Sequence, residues 1–170
     1  MGVDRESLYK AVRAGLGNQD GRARGSIGSV YRNLSLEAIK PLLPAIYQAV
    51  IEPAPSGEMF ADSIRVEGLR LLAQHRIEEG ILACVNYTRD QNQWNSEERT
   101  PEVMKILLSY GSRAKSAIPE LLKLAAYFEK EEKDTLPEES AMKAKCVRKT
   151  IRAIEASKQS PKLKCLRITQ

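Results

Sequence analysis

Apolar residues recur along most of the chain at steps of three and four positions, the spacing of one face of an α-helix. In the first such stretch Leu8, Val12 and Leu16 share a face. Capping residues mark the starts of later stretches, with Asp20 before the second and Ser35 before the third. The pattern predicts an all-α protein with eight helices, over residues 4–16, 20–34, 35–50, 60–75, 77–88, 100–110, 112–130 and 138–157.

Prolines modify three of these predicted helices. Pro44 would lie inside the third helix, where it removes a backbone hydrogen bond, so we expect a bend there. Pro101 stands near the first position of the sixth helix, where proline is well tolerated. Pro119 falls in the second turn of the seventh helix.

The remaining stretches are polar or short. Residues 89–98 form the most polar interruption and carry Trp94. The alternation in residues 161–170 is too short to predict a strand, and no hairpin or βαβ pattern occurs. The sequence therefore predicts one helical domain over residues 1–158, followed by a C-terminal tail over residues 159–170.

The helices form pairs, and the second helix of each pair repeats an apolar residue followed by a position that is usually Arg. The motifs are Ala23-Arg24, Ile64-Arg65, Val103-Met104 and Val147-Arg148, at spacings of 41, 39 and 44 residues. Asp20 and Asp62 precede the first two motifs. Periods of roughly 40–47 residues are typical of HEAT and armadillo repeats.

In this register the chain resembles the HEAT-repeat family, whose pattern is an Asp in the turn, an apolar residue and Arg, then small or apolar residues at helical steps. QDGRARGSIGSVYRNL and ADSIRVEGLRLLAQH carry that pattern, and AIPELLKLAAYF resembles a first helix of the family. The resemblance covers about residues 4–157. It implies an α-α superhelix, a right-handed solenoid of about four helix pairs, with the second helices lining one side. It also implies a structural framework role for Asp20, Arg24, Asp62, Arg65 and Arg148. The three arginines would hold turns and neighbouring helices together through carboxylates, and this interpretation is favoured over contacts with a partner.

The third and fourth repeats depart from the family pattern. Met104 stands where Arg is expected, Thr100-Pro101 replaces the turn Asp, and no Asp immediately precedes Val147. We therefore expect a ladder of Asp–Arg contacts between repeats to be interrupted at the third unit.

Composition favours an ordinary globular protein, with 42% hydrophobic and 29% charged residues and only 5% aromatic residues. The net charge is +5, and acidic residues are interspersed with basic ones, as on a mixed solvated surface.

No apolar run approaches the roughly 20 residues of a membrane span. Cys84, Cys146 and Cys165 lack metal-binding spacing, so we expect free buried thiols, which favours the cytoplasm while leaving the compartment open.

Candidate binding residues are basic side chains on or near the second helices, together with Trp94. Trp94 could anchor a partner or fold back over its own repeat, and folding back is the favoured interpretation. The candidate partner-binding residues are Arg22, Arg32, Arg70, Trp94, Lys105 and Arg152.

No Ser/His/Asp or Cys/His set follows from local spacing, and the single histidine, His75, is expected to cap a helix end. We therefore expect a non-catalytic interaction module without a metal or cofactor, binding a protein or another domain of a longer parent protein. The alternative is a nucleic-acid-binding HEAT-like protein similar to the DNA glycosylases that act on alkylated bases. The scarcity of aromatic residues disfavours that alternative, because base flipping needs them.

Overall fold

The computed structural model describes residues 4–130, 132–133 and 135–166, except for the side chain of Arg32. Over these ranges the chain is all-α, as predicted. Three short 3-10 segments, Lys40–Leu42, Glu58–Phe60 and Gly111–Ala117, precede α-helices. The α-helices are α1 (Arg5–Leu16), α2 (Gly21–Ser26), α3 (Gly28–Asn33), α4 (Leu36–Ile39), α5 (Leu43–Ile51), α6 (Asp62–Gln74), α7 (Glu79–Asp90), α8 (Ser96–Leu108), α9 (Ile118–Lys130) and α10 (Pro137–Ala156).

The helices form two layers. In the first layer α1, α5, α7 and α9 pack against one another in chain order, and in the second layer α2, α6, α8 and α10 do the same. Each first-layer helix also packs against the second-layer helix of its own pair. One cluster of buried apolar side chains runs through all four pairs, from Tyr9 to Ile154. Each pair therefore buries its apolar face against its neighbours.

The second predicted helix is broken at Ile27, which separates α2 from α3. Gly25 and Gly28 flank the break, and glycine is a poor residue for a helix interior. At Gly25 an added Cβ would lie 2.4 Å from the carbonyl oxygen of Phe60. The absence of a side chain at Gly25 therefore lets α2 approach the segment before α6. The same glycine destabilises the helix, which is interrupted at Ile27.

Proline positions account for other differences from the predicted boundaries. The bend expected at Pro44 lies before it, in the 3-10 turn Lys40–Leu42, so Pro44 falls in the first turn of α5. Pro101 is interior, because α8 already begins at Ser96, with acidic residues in its first turn opposing the positive end of the helix dipole. Pro119 lies in the first turn of α9 and not in its second, because a 3-10 segment replaces the first part of the predicted helix.

Residues 157–166, here called the C-terminal strap, run back from α10 across the ends of earlier helices. The Gln159 carbonyl accepts a hydrogen bond from the Ser112 amide at 2.7 Å. The Lys164 amide donates to the Arg76 carbonyl at 2.9 Å, and the Glu78 amide donates to the Lys164 carbonyl at 2.9 Å. Leu163 and Leu166 also pack against the core. The described part of the predicted tail is thus packed against the helical domain.

Gly111→Ala should weaken the attachment of the strap. Gly111 has φ 60°, and an added Cβ would lie 2.3 Å from the Gln159 carbonyl oxygen. We expect a loss of about 1–3 kcal/mol in the free energy of unfolding, because both the backbone and the contact become strained. Urea unfolding measures the loss, and faster hydrogen exchange of the Lys164 amide locates it.

Gly28→Ala is the matched control, because in the described part of the chain no heavy atom beyond its chain neighbours and own helix backbone lies within 4 Å of its added Cβ. Alanine also favours the helix, by up to about 1 kcal/mol. Equal losses at the two positions would contradict the role assigned to Gly111.

His75 ends α6 as expected, with its amide donating to the Leu71 carbonyl at 3.0 Å. Its Nε2 atom is buried and finds no hydrogen-bond partner among the described residues. Burial lowers the pKa of the imidazole below 6.5, and the charges of Lys164 and Lys40 lower it further, against the opposing effect of Glu37 and a backbone hydrogen bond with Leu36.

The free energy of unfolding should therefore decrease as the pH falls below 6.5. Over that range the unfolded chain binds the proton more strongly than the folded chain does. His75 is the only histidine, so an NMR titration of its ring protons reads this pKa directly. In urea titrations the His75→Gln variant should lose this component of the pH dependence, and an unchanged slope would contradict the assignment.

Candidate functional site

Two adjoining grooves open on the second layer. The first has a volume of about 420 Å³ and lies between α6 and α8, and the second, of about 590 Å³, lies against α8 and α10. Arg70, Glu102 and Lys105 line both. Together they form the second-layer groove.

Two of the candidate partner-binding residues, Arg70 and Lys105, come together in this groove. Arg70 donates to the carboxylates of Glu67 on its own helix and Glu102 on α8, so it ties the two helices together. Lys105 is exposed between the two grooves. Arg70 therefore has carboxylate partners, whereas Lys105 presents its charge to solvent.

Arg76 and Lys149 also line the groove, although sequence reasoning passed over both. Lys149 directly follows Arg148, just as Lys105 directly follows Met104. The two lysines therefore occupy the same position relative to the predicted repeat motif, a signal that was present in the sequence. Arg76 carries no such signal, because it lies in the turn after α6.

The other candidate residues lie elsewhere. The Arg22 guanidinium stacks over the exposed Phe60 ring at 4.7 Å. Arg152 is exposed on α10 and does not line the groove, and the Arg32 side chain lies outside the described part of the structure. Trp94 is 68% exposed and lines a separate polar pocket, so it is not folded back over its own repeat.

The framework arginines Arg24 and Arg65 are both buried and both reach the C-terminal end of α5. Arg24 Nη1 donates to the Glu52 carbonyl at 2.5 Å, and Arg65 Nε donates to the Val50 carbonyl at 2.9 Å. Arg24 Nε also donates to the Asn18 carbonyl at 2.7 Å. Guanidinium groups satisfy carbonyls that a helix end leaves open and oppose its negative dipole end. Arg24 thus binds carbonyls where carboxylates were expected.

Asp62 lies in a buried network. Its carboxylate accepts a hydrogen bond from the Tyr87 hydroxyl at 2.9 Å and pairs with Arg99 at 3.5 Å. Burial raises the pKa of Asp62, while Arg99, Tyr87 and Arg65 act in the opposite direction. Asp20 instead caps α2, where it accepts a hydrogen bond from the Arg22 amide at 2.9 Å.

Arg99 and Lys143 make the contacts between successive second-layer helices that the motif did not locate. Each contacts the first residue of the preceding second-layer helix. Arg99 of α8 pairs with Asp62, and the Lys143 ammonium of α10 donates to the Ser96 hydroxyl at 2.9 Å. Both stand five residues before the motif's Arg position, occupied by Met104 and Arg148. The interruption expected at the third unit is therefore bridged by a different residue.

Lys143 is almost completely buried and is compensated on several sides. Its ammonium pairs with Glu132 and lies 4.8 Å from the centre of the Phe128 ring. Arg148, by contrast, is partly exposed, and its guanidinium donates to both carboxylate oxygens of Glu129 at 2.7 and 2.8 Å. Lys143, and not Arg148, is therefore the buried cation of α10 that contacts the preceding second-layer helix.

The cysteines differ in exposure. Cys84 is buried as expected, Cys146 is half-buried in the second-layer groove, and Cys165 is exposed, with its thiol donating to the Glu78 carboxylate. No helix in the described part of the chain combines the length and apolarity needed to cross a membrane.

Arg65→Met should reduce the free energy of unfolding by about 2–4 kcal/mol, because the change keeps most of the side-chain volume but leaves Val50 O and Glu58 without their partner. Urea unfolding measures the loss.

Arg148→Met is the matched control, since the same change there removes only a partly exposed ion pair. Its effect should be much smaller and should shrink with added salt. A loss at Arg148 as large as that at Arg65 would contradict the distinction drawn between the two arginines.

Comparisons with protein-family models, with curated proteins and with solved structures found no match to this chain.

Proposed function

We propose that the chain is a non-catalytic interaction module of the HEAT-repeat type, a right-handed superhelix of four helix pairs. Its second-layer groove binds a partner protein or another domain of a longer parent protein. The order of packing supports this, since first-layer and second-layer helices each follow one another in chain order. Repeats stacked in this way present extended surfaces, and partner binding is their usual use.

The observation that carries the proposal is the second-layer groove itself. Leu108 and Ala153 line it above the buried Met104, together with the exposed amines of Lys105 and Lys149. An apolar surface with a polar rim is typical of a protein interaction site.

The raised pKa of Asp62 has a structural cause, which supports a non-catalytic role for this carboxylate. Perturbed carboxylates mark active sites when they line an accessible cleft. Asp62 is 5% exposed, and its oxygens are engaged by Tyr87 and Arg99. Its environment is that of a helix-joining network.

Site-specific photo-cross-linking tests the proposal. The photoreactive residue p-benzoylphenylalanine replaces Lys105 in the full chain, in the cells that make it. The matched control places it at Lys123 on α9, which is exposed on the first layer. We expect a discrete protein adduct from position 105 that is absent from position 123.

Identical adduct patterns from the two positions, or no adduct from position 105, would contradict a protein-binding groove. An adduct that nuclease treatment removes would replace the protein partner with nucleic acid. Unchanged far-UV circular dichroism shows that both variants are folded.

A further inference from the structure

The second-layer groove combines an apolar floor with uncompensated cations. Ala73 and Ile106 form apolar parts of the first groove, and Met104, Leu108 and Ala153 those of the second. These residues come from three successive second-layer helices, α6, α8 and α10. The apolar surface therefore continues across three repeats.

The charges on this surface are unequal. Arg70, Arg76, Lys105 and Lys149 line the groove, and among its described lining residues Glu102 is the single carboxylate. Glu102 is already engaged by Arg70. Within the described ranges, no carboxylate lies within ion-pair distance of Lys105 or Lys149. The ammonium groups of Lys105 and Lys149 are therefore cations of the groove that no described carboxylate pairs with.

We propose that the second-layer groove binds an acidic peptide segment of a partner protein, with aliphatic side chains placed among its Asp and Glu residues. This inference rests on the proposed function, and it names the chemistry of the partner. The aliphatic side chains fill the apolar floor, and the carboxylates pair with Lys105, Lys149 and Arg76. Complementary charge around an apolar contact gives both specificity and rapid association.

The size of the groove sets the length of the segment. Packed helices lie about 8–10 Å apart, so three adjacent helices span about 16–20 Å between the outer axes. A helical segment covers that span with about 11–13 residues, and an extended one with about five or six. A peptide of about 12 residues is long enough in either conformation.

The lining favours a peptide over a nucleic acid. Single strands are held by aromatic side chains that stack on bases, and none of the described lining residues is aromatic. The apolar floor also offers nothing to phosphate or sugar, whereas aliphatic side chains bury well against it.

Peptide selection tests the inference. A phage-displayed library of random 12-residue peptides is panned against the immobilised full chain. We expect enrichment of peptides rich in Asp, Glu, Leu, Ile and Met. The affinity of a fluorescently labelled selected peptide, read by anisotropy, should fall by about tenfold or more in the variant Lys105→Glu/Lys149→Glu, and it should weaken with added salt.

The matched control is Lys10→Glu/Lys130→Glu, which makes the same change in net charge at exposed positions on α1 and α9. Its peptide affinity should stay within about twofold of the unaltered chain, because both positions lie on the first layer. Equal melting temperatures for the two double variants show that the loss of binding is not a loss of folding.

Several results would overturn the inference: no enrichment, enrichment of basic or uncharged peptides, or selected peptides that bind the two double variants equally. Salt-sensitive binding of a labelled 20-nucleotide single strand, lost only in Lys105→Glu/Lys149→Glu, would put nucleic acid in place of the peptide. If panning fails while position 105 still gives a protein adduct, the proposed function stands and the acidic segment is wrong. If both fail, both proposals fall.

Discussion

The stacking of the helix pairs depends on the compensation of charges that lie inside it. Arg24, Arg65 and Lys143 are buried, and each would cost several kcal/mol to remove from water without partners. Their partners are carbonyls at the end of α5, the Glu58 carboxylate, and the Ser96 and Glu132 side chains. Arg24 and Lys143 thereby join neighbouring helix pairs, whereas Arg65 joins the two helices of its own pair.

The sequence predicts helices well, because apolar periodicity directly records which face is buried. It predicts their interruptions poorly. The break at Ile27 and the 3-10 turn before α5 depend on contacts with other segments, such as the approach of Phe60 to Gly25. Pro101 was placed at a helix start because proline favours that position, yet the residues before it also form helix. Tertiary contacts and earlier turns decided these boundaries.

The sequence also predicted some parts of the candidate site and missed others. The repeat register predicted roles for Arg24, Arg65 and Lys105. It did not predict the contacts that Arg99 and Lys143 make with the preceding helix. A long cationic side chain can reach the preceding helix from a position five residues earlier, so the contact persists while the motif changes. The groove also could not be predicted from the sequence. Arg76 and Lys105 line it together only because the turn after α6 lies beside α8.

The C-terminal strap has a consequence for how the molecule opens. Stacked repeats contact only their neighbours, so they can fray progressively from either end. Here the strap joins the residues after α10 to the turn between α6 and α7, which links the last helix pair to the second one. Opening at the C-terminal end must therefore release contacts two repeats away. These hydrogen bonds make opening of the fourth pair depend on the second and third pairs, whereas the first pair lies outside that closure.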